Sequence, residues 1–209
     1  DIRNRVTQRC IVDAEDQVAN QRSYVYDALD KLVRIEDSET GVTSYTRDAM
    51  GRVVRVSRAQ GSDEEYTYDA CGNIEHSSLL GAHRYGPEGR LEQAGEVSYP
   101  YGAGGLAAGR ETPDGKWAYD FDSLGQLSAV TGVYGQTWKF QYDGLGRRKS
   151  KKKGSDQTTW LWSGDQVFAE KGKLAVEYLV LGGLLLGCRR GEDYFSFGLD
   201  PDGSPAELF

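Results

Sequence analysis

The chain has 209 residues, a net charge of −7 and a pI near 5.0, and 38% of its residues are hydrophobic. Its 27 Gly and 13 Tyr suit many short strands joined by glycine turns and exclude a helical bundle, since no window keeps apolar residues at the helical period. The acidic balance argues against a nucleic-acid partner, and the longest apolar run, Leu179 to Leu186, falls far short of the ~20 residues that span a bilayer.

Taken in order, the opening Asp1-Ile2-Arg3-Asn4-Arg5-Val6 reads as the second half of a repeat whose first strand is missing, so a fragment of a longer array is expected. From Gln21 onward one unit recurs, and Tyr66-Thr67-Tyr68-Asp69-Ala70-Cys71-Gly72-Asn73-Ile74 shows its logic. Tyr66 and Tyr68 alternate onto one face of a strand, while Asp69 and Gly72 take the first and fourth positions of a type I turn. The aspartate can accept a backbone N–H inside the turn, and the glycine can take positive φ where the strands rejoin through a bulge. The unit returns with a tyrosine or its substitute, then an aspartate or glycine, then the turn residue. Its copies are Tyr26, Asp27 and Asp30; Arg47, Asp48 and Gly51; Tyr85, Gly86 and Gly89; Tyr101, Gly102 and Gly105; Phe121, Asp122 and Gly125; and Tyr142, Asp143 and Gly146.

Successive turn residues lie 16 to 21 positions apart, from 30 to 146. Weaker copies continue at Trp162–Gln166, Tyr178–Gly182 and Leu199–Gly203. Residues 81–115 are looser, and the run from Gly102 to Gly109 reads either as a flexible linker or as a degenerate repeat. The retained spacing favours the repeat. Beyond Trp117 the alternation sharpens: Trp138, Phe140 and Tyr142 face one way, and Lys139, Gln141 and Asp143 the other. The expected fold is therefore all-β, one region over residues 1–209, built of ~20-residue β-hairpin repeats in a curved or spiralling sheet.

Candidate chemistry is sparse. His76 and His83, on an expected strand and loop, have no cysteine or carboxylate partners at metal-ligand spacing, so packing positions are favoured. Asp63-Glu64-Glu65 and the pair Asp200 and Asp202 read as turn acids rather than as acid–base or calcium groups. The basic run from Arg147 to Lys153 is either a polyanion site or, preferred here, a solvated outer loop. Aromatic rows read as the packed face of a sheet or, less favoured, as a carbohydrate platform. Cys10, Cys71 and Cys188 are too far apart for a disulfide framework and are expected to be buried thiols. No catalytic set, metal site or cofactor site is recognised.

The copies at Tyr26-Asp27, Tyr68-Asp69 to Gly72 and Tyr142-Asp143 to Gly146 resemble the tyrosine–aspartate repeats of the Rhs/YD-repeat family. The resemblance covers essentially the whole chain, and the tail from Tyr194 through Gly203 to Pro205 is similar to the stretch shortly before the end of an Rhs core. It implies a β-ribbon that spirals into a hollow shell around a toxin polypeptide, as in bacterial polymorphic toxins including type VI effectors, the cocoon of Tc toxins and the teneurin barrel. The implied protein is made in the bacterial cytoplasm and secreted or delivered to target cells. Its implied partners are further shell segments, an enclosed toxin domain and secretion machinery, with a sugar- or cell-surface-binding module as the alternative. Three departures stand out: Asp30 replaces the turn glycine, Arg47 replaces the aromatic, and Ser204-Pro205 follows Asp200-Pro201-Asp202-Gly203 where the family's self-cleavage motif would continue. About twenty strands at ~4.8 Å each make a ribbon of roughly 95 Å, too short to ring a 100-residue toxin about 33 Å across, so further shell is required.

Overall fold

β-Branched and aromatic residues that alternate with charged ones form pleated segments with one drier face, and short turns of Gly, Asp and Ser join them into antiparallel pairs. The computed structural model describes residues 1–3, 5–12, 17–199 and 203–208, and its strands follow that pattern. Two compact units, Asp1–Glu96 and Val97–Phe209, divide the chain.

The first unit contains β1 (Gln8–Val12), β2 (Val18–Tyr26), β3 (Leu32–Asp37), β4 (Gly41–Arg47), β5 (Val53–Arg58), β6 (Glu64–Tyr68), β7 (Ile74–Ser77), β8 (Gly81–Tyr85) and β9 (Leu91–Ala94). The second contains β10 (Val97–Ser98), β11 (Gly109–Thr112), β12 (Gly115–Phe121), β13 (Leu127–Thr131), β14 (Thr137–Tyr142), β15 (Arg148–Lys153), β16 (Asp156–Ser163), β17 (Gln166–Lys171), β18 (Val176–Leu181), β19 (Leu184–Arg190), β20 (Asp193–Leu199) and β21 (Pro205–Leu208). Within each unit every strand pairs antiparallel with the next, so the fold is all-β as expected. The one helical element among the described residues is a single 3-10 turn, Pro87–Gly89, inside a repeat turn.

In a meander, alternate turns fall on opposite edges. The tyrosine–aspartate turns therefore share one edge of each unit, with a register slip beside each. Tyr68 pairs with Ile74 but Thr67 with His76, and the same slip occurs at Val25/Tyr26, Thr46/Arg47, Asp120/Phe121 and Gln141/Tyr142. An extra residue at each slip is a β-bulge, which sharpens the local twist. The opposite edge has return turns without a common motif, such as the one where Asp37 Oδ1 accepts the N–H groups of Glu39 and Thr40, each at 2.9 Å.

Few side chains are deeply buried: the described core is Tyr24, Val56, Ala94, Ala169, Val176 and Cys188, and no large side chain is fully enclosed. The strands instead alternate half-buried and exposed positions, as in β6 and β12.

Several expectations need correction. The basic run after Gly146 is no loop: Arg148 to Lys153 form strand β15, because each of its neighbours supplies a complete ladder. His83 lies on β8 rather than in a loop. Cys10 and Cys71 are exposed and only Cys188 is buried, since the first two sit on a wet strand face and in a turn. The copies at Trp162 and Tyr178 end in two-residue turns, Gly164-Asp165 and Gly182-Gly183, rather than in the four-residue turn. Asn4, Asp200, Pro201 and Asp202 lie outside the described residues.

Candidate functional site

Every tyrosine–aspartate turn is built from its aspartate outward. Asp69 Oδ1 accepts the backbone N–H groups of Cys71 and Asn73, each at 2.9 Å, while Gly72 N–H donates to the Asp69 carbonyl at 3.1 Å. Gly72 has φ +90°, and no atom lies within 4 Å of the place a Cβ would take, so the backbone angle alone demands glycine there. Equivalent carboxylate bonds are made by Asp27 to Leu29 and Lys31, by Asp48 to Met50 and Arg52, by Asp122 to Leu124 and Gln126, and by Asp143 to Leu145 and Arg147. Gly51, Gly125 and Gly146 have φ between +75° and +82°, Gly89 has +71° and Gly203 has +85°. At the chain's opening, Asp1 makes the same bonds to Arg3 and Arg5.

The residue after the turn glycine was not singled out by sequence reasoning, although it completes the turn. Arg52 Nε donates to Asp48 Oδ2 at 2.7 Å, Arg147 Nε to Asp143 Oδ2 at 2.7 Å, and Asn73 Nδ2 to Asp69 Oδ2 at 2.9 Å. The available signal was an Asp–Arg pair four residues apart, recurring with the repeat.

These arginines then reach the next repeat. Arg5, Arg52 and Arg147 lie over the rings of Tyr26, Tyr68 and Trp162, at 4.7, 4.6 and 5.5 Å from the ring centres. Arg52 Nη1 also donates to the carbonyl of Asp69 at 3.3 Å, and Arg147 Nη1 to that of Gly164. A bond in the return direction comes from the aromatic: Tyr26, Tyr68 and Tyr142 donate their hydroxyls to the carbonyls of Val6, Val53 and Leu127, at 2.9, 2.7 and 3.0 Å. Trp162 does the same to Arg148 through its indole N–H at 2.9 Å. Arg47, which stands where a tyrosine is expected, donates through Nη2 to the carbonyl of Leu32 at 3.2 Å and so fills the same role. Phe121 has no group with which to do so.

The electrostatics follow from this geometry. The Asn73 amide and the turn N–H groups hold the Asp69 carboxyl below its ordinary value, and the Arg147 guanidinium does so for Asp143. At Asp48 partial desolvation pushes upward, but the Arg52 N–H and guanidinium outweigh it and the net shift is downward. The other acids are similarly engaged: Asp63 with Arg55 at 2.7 Å, and Glu64 with Arg58 at 2.8 Å. Among the described residues no group of three or more His, Cys, Asp or Glu is placed to hold a metal ion, and no helix is long and apolar enough to cross a membrane. What the arrangement does chemically is to tie one repeat to the next.

The sequence pattern of the Teneurin YD-shell family matches residues 1–206. The chain belongs to that family. This YD-shell chain is also similar to the probable deoxyribonuclease RhsB of Dickeya dadantii (strain 3937), at 36% identity over 86 residues covering 38% of this chain and 6% of that protein. It is 35% identical to the probable deoxyribonuclease RhsA of the same organism over 86 residues, again 38% and 6%. The YD-shell chain thus matches only a small part of these relatives. Among solved structures it resembles TcdB2-TccC3-Cdc42, with TM-score 0.46 and 13% identity over 96% of this chain and 14% of that one. It also resembles the Photorhabdus luminescens Tc holotoxin pore carrying a TccC3 mutation, with TM-score 0.38 and 14% identity over 97% and 14%.

Proposed function

We propose that this YD-shell chain is a non-catalytic wall segment of a larger shell, and that the complete shell holds a toxin polypeptide apart from its surroundings until delivery. The observation that carries the reading is the lacing of successive turns, Asp to Arg to the next aromatic, in which polar groups that could do chemistry are spent on one another. In this reading the Tyr, Asp and Gly residues of the repeat are structural, and residues 1–209 are one repeat region of a longer core. The nuclease activity named for the Dickeya relatives then belongs to parts of those proteins outside the matched 86 residues. Further shell segments are the partners, and export through a secretion apparatus such as type VI is the proposed route.

The alternative, an aromatic sugar platform, is less well supported because Tyr26, Tyr68 and Trp162 each have a guanidinium over the ring. Limited proteolysis of the full-length protein tests the shell. A segment downstream of the repeats should survive until the repeat wall itself is cut. If that segment is cleaved as fast inside the intact protein as when released, the enclosure reading fails.

A further inference from the structure

We infer that the cleft between the β11–β12 and β13–β14 turns binds a carboxylate with an N–H beside it, the pair that an amino-acid residue offers at a peptide's C-terminus or through an aspartate side chain. The cleft measures about 470 Å3 and is lined by Arg110, Asp114, Trp117, Val133, Tyr134 and Gln136. Two of these residues carry polar atoms that the fold does not satisfy. Arg110 Nε and Gln136 Oε1 are both buried without a hydrogen-bond partner among the described residues.

Other arginines are spent within the fold. Arg22, Arg52 and Arg147 donate through Nε to Asp37, Asp48 and Asp143 at 2.6, 2.7 and 2.7 Å. Arg47 also keeps an unpaired Nε, yet its two terminal nitrogens donate to the carbonyls of Gly51 and Leu32, each at 3.2 Å. The Arg110 side chain has no hydrogen bond or ion pair among the described residues, and its guanidinium carbon rests 5.6 Å from the centre of the Trp117 ring. Trp117 is itself stacked on Trp138 at 5.9 Å, so the guanidinium lies on a fixed platform. The bare backbone of Gly132 seats the amide opposite it in the cleft wall, since a Cβ there would fall 2.6 Å from Gln136 Nε2. A buried donor and a buried acceptor left unpaired in one cleft weaken the fold, and a ligand that meets both would recover the loss.

The two orphans select the ligand between them. A planar guanidinium with its Nε edge open matches the two oxygens of a planar anion. Gln136 Oε1 can only accept, so the ligand must also bring a donor. A fully ionised phosphate or sulfate has none and would set oxygen against oxygen. Asp114, exposed at the same cleft, opposes a second negative charge and so favours one carboxylate over a dianion. Tyr134 is 91% exposed, which packing within the fold does not explain, and with Val133 it gives an apolar wall for an aliphatic side chain.

Saturation-transfer NMR on the 209-residue chain, with acetyl-glycyl-leucine as the probe, tests this. The free acid should bind and acetyl-glycyl-leucinamide should not. Acetyl-aspartyl-leucinamide, whose one carboxylate is a side chain, separates the two sources: if it binds the site accepts side chains, and if only the free acid binds the site reads chain ends. Arg110→Gln should weaken binding about tenfold or more, whereas Lys31→Gln, an equal change in net charge, should alter it less than about twofold. Arg110→Lys keeps the charge and the stack on Trp117 but loses the fork; it should weaken binding about threefold or more, and it decides the matter if Arg110→Gln fails to fold. Gln136→Met should remove binding while raising the melting temperature of the ligand-free chain, because an unpaired buried acceptor is lost. Equal binding of the leucinamide control, an equal loss in Lys31→Gln, a lower melting temperature in Gln136→Met, or tighter binding of glucuronate than of either peptide acid overturns the proposal.

Discussion

A left-handed backbone at the fourth turn position suits glycine and strains other residues, yet Asp30 occupies it at φ +63°. Its carboxylate receives both Arg3 and Arg5, each at 2.6 Å, so the departure from glycine adds a bond to the neighbouring turn. Gly72 has no such compensation available: Gly72→Val should cost about 1–3 kcal/mol through backbone strain alone, read as a lower urea midpoint at unchanged slope. An unchanged midpoint would mean that the strain argument is wrong. The turn aspartates set a pH response whose sign follows from their lowered values. A group with a folded pKa below its unfolded one contributes in full above the ordinary carboxylate range and loses that contribution as pH falls through the folded value. The melting temperature should therefore be steady above about pH 5 and decline below about pH 4. Asp69→Asn with Asp143→Asn should flatten the decline, and an equally steep acid limb in that variant would remove these residues from the account.

At the scale of the hairpin, the cross-repeat bond is the testable unit. Tyr68→Phe deletes the hydroxyl bond to Val53 while keeping the ring under Arg52, and should destabilise by about 0.5–1.5 kcal/mol in a denaturant titration. No loss in Tyr68→Phe would reduce the lacing to packing. The tyrosine–aspartate turns are legible in the sequence because their requirements are local: a carboxylate two residues before the N–H it accepts, and a glycine where φ is positive. The return turns are hidden because they meet the same need by unrelated means, Asp37 and Gly41 in one, Gly132 with Gly135 in another, Gly154-Ser155 in a third. Lacing is hidden for a different reason. Arg52 closes the turn just before β5 and Tyr68 ends β6, so they meet only when β6 folds back along β5, and their stacking is a product of register and not of neighbourhood. The basic run shows the limit from the other side: composition alone suggests a solvated loop, and only the ladders on both sides of β15 make it a strand.

At the scale of the whole molecule, β1 and β21 each pair on one side only among the described residues, and an unpaired strand edge is a template for another chain. Light scattering after size exclusion should show the 209-residue chain associating as concentration rises, and a monomer that persists at every concentration would exclude edge pairing. Because within each unit every strand is hydrogen-bonded to the next, and most turns are laced to a neighbouring repeat, stability is distributed along the unit as in other repeat proteins. That makes the missing hydroxyl at Phe121 a dropped stitch. Under mechanical load, or during threading through a narrow passage, a laced fabric does not fail everywhere at once; it runs from the place where a stitch is absent. Amides flanking Phe121 should accordingly exchange with deuterium before those flanking Tyr142, whose hydroxyl still holds Leu127, and equal protection at the two sites would show that the tear starts elsewhere.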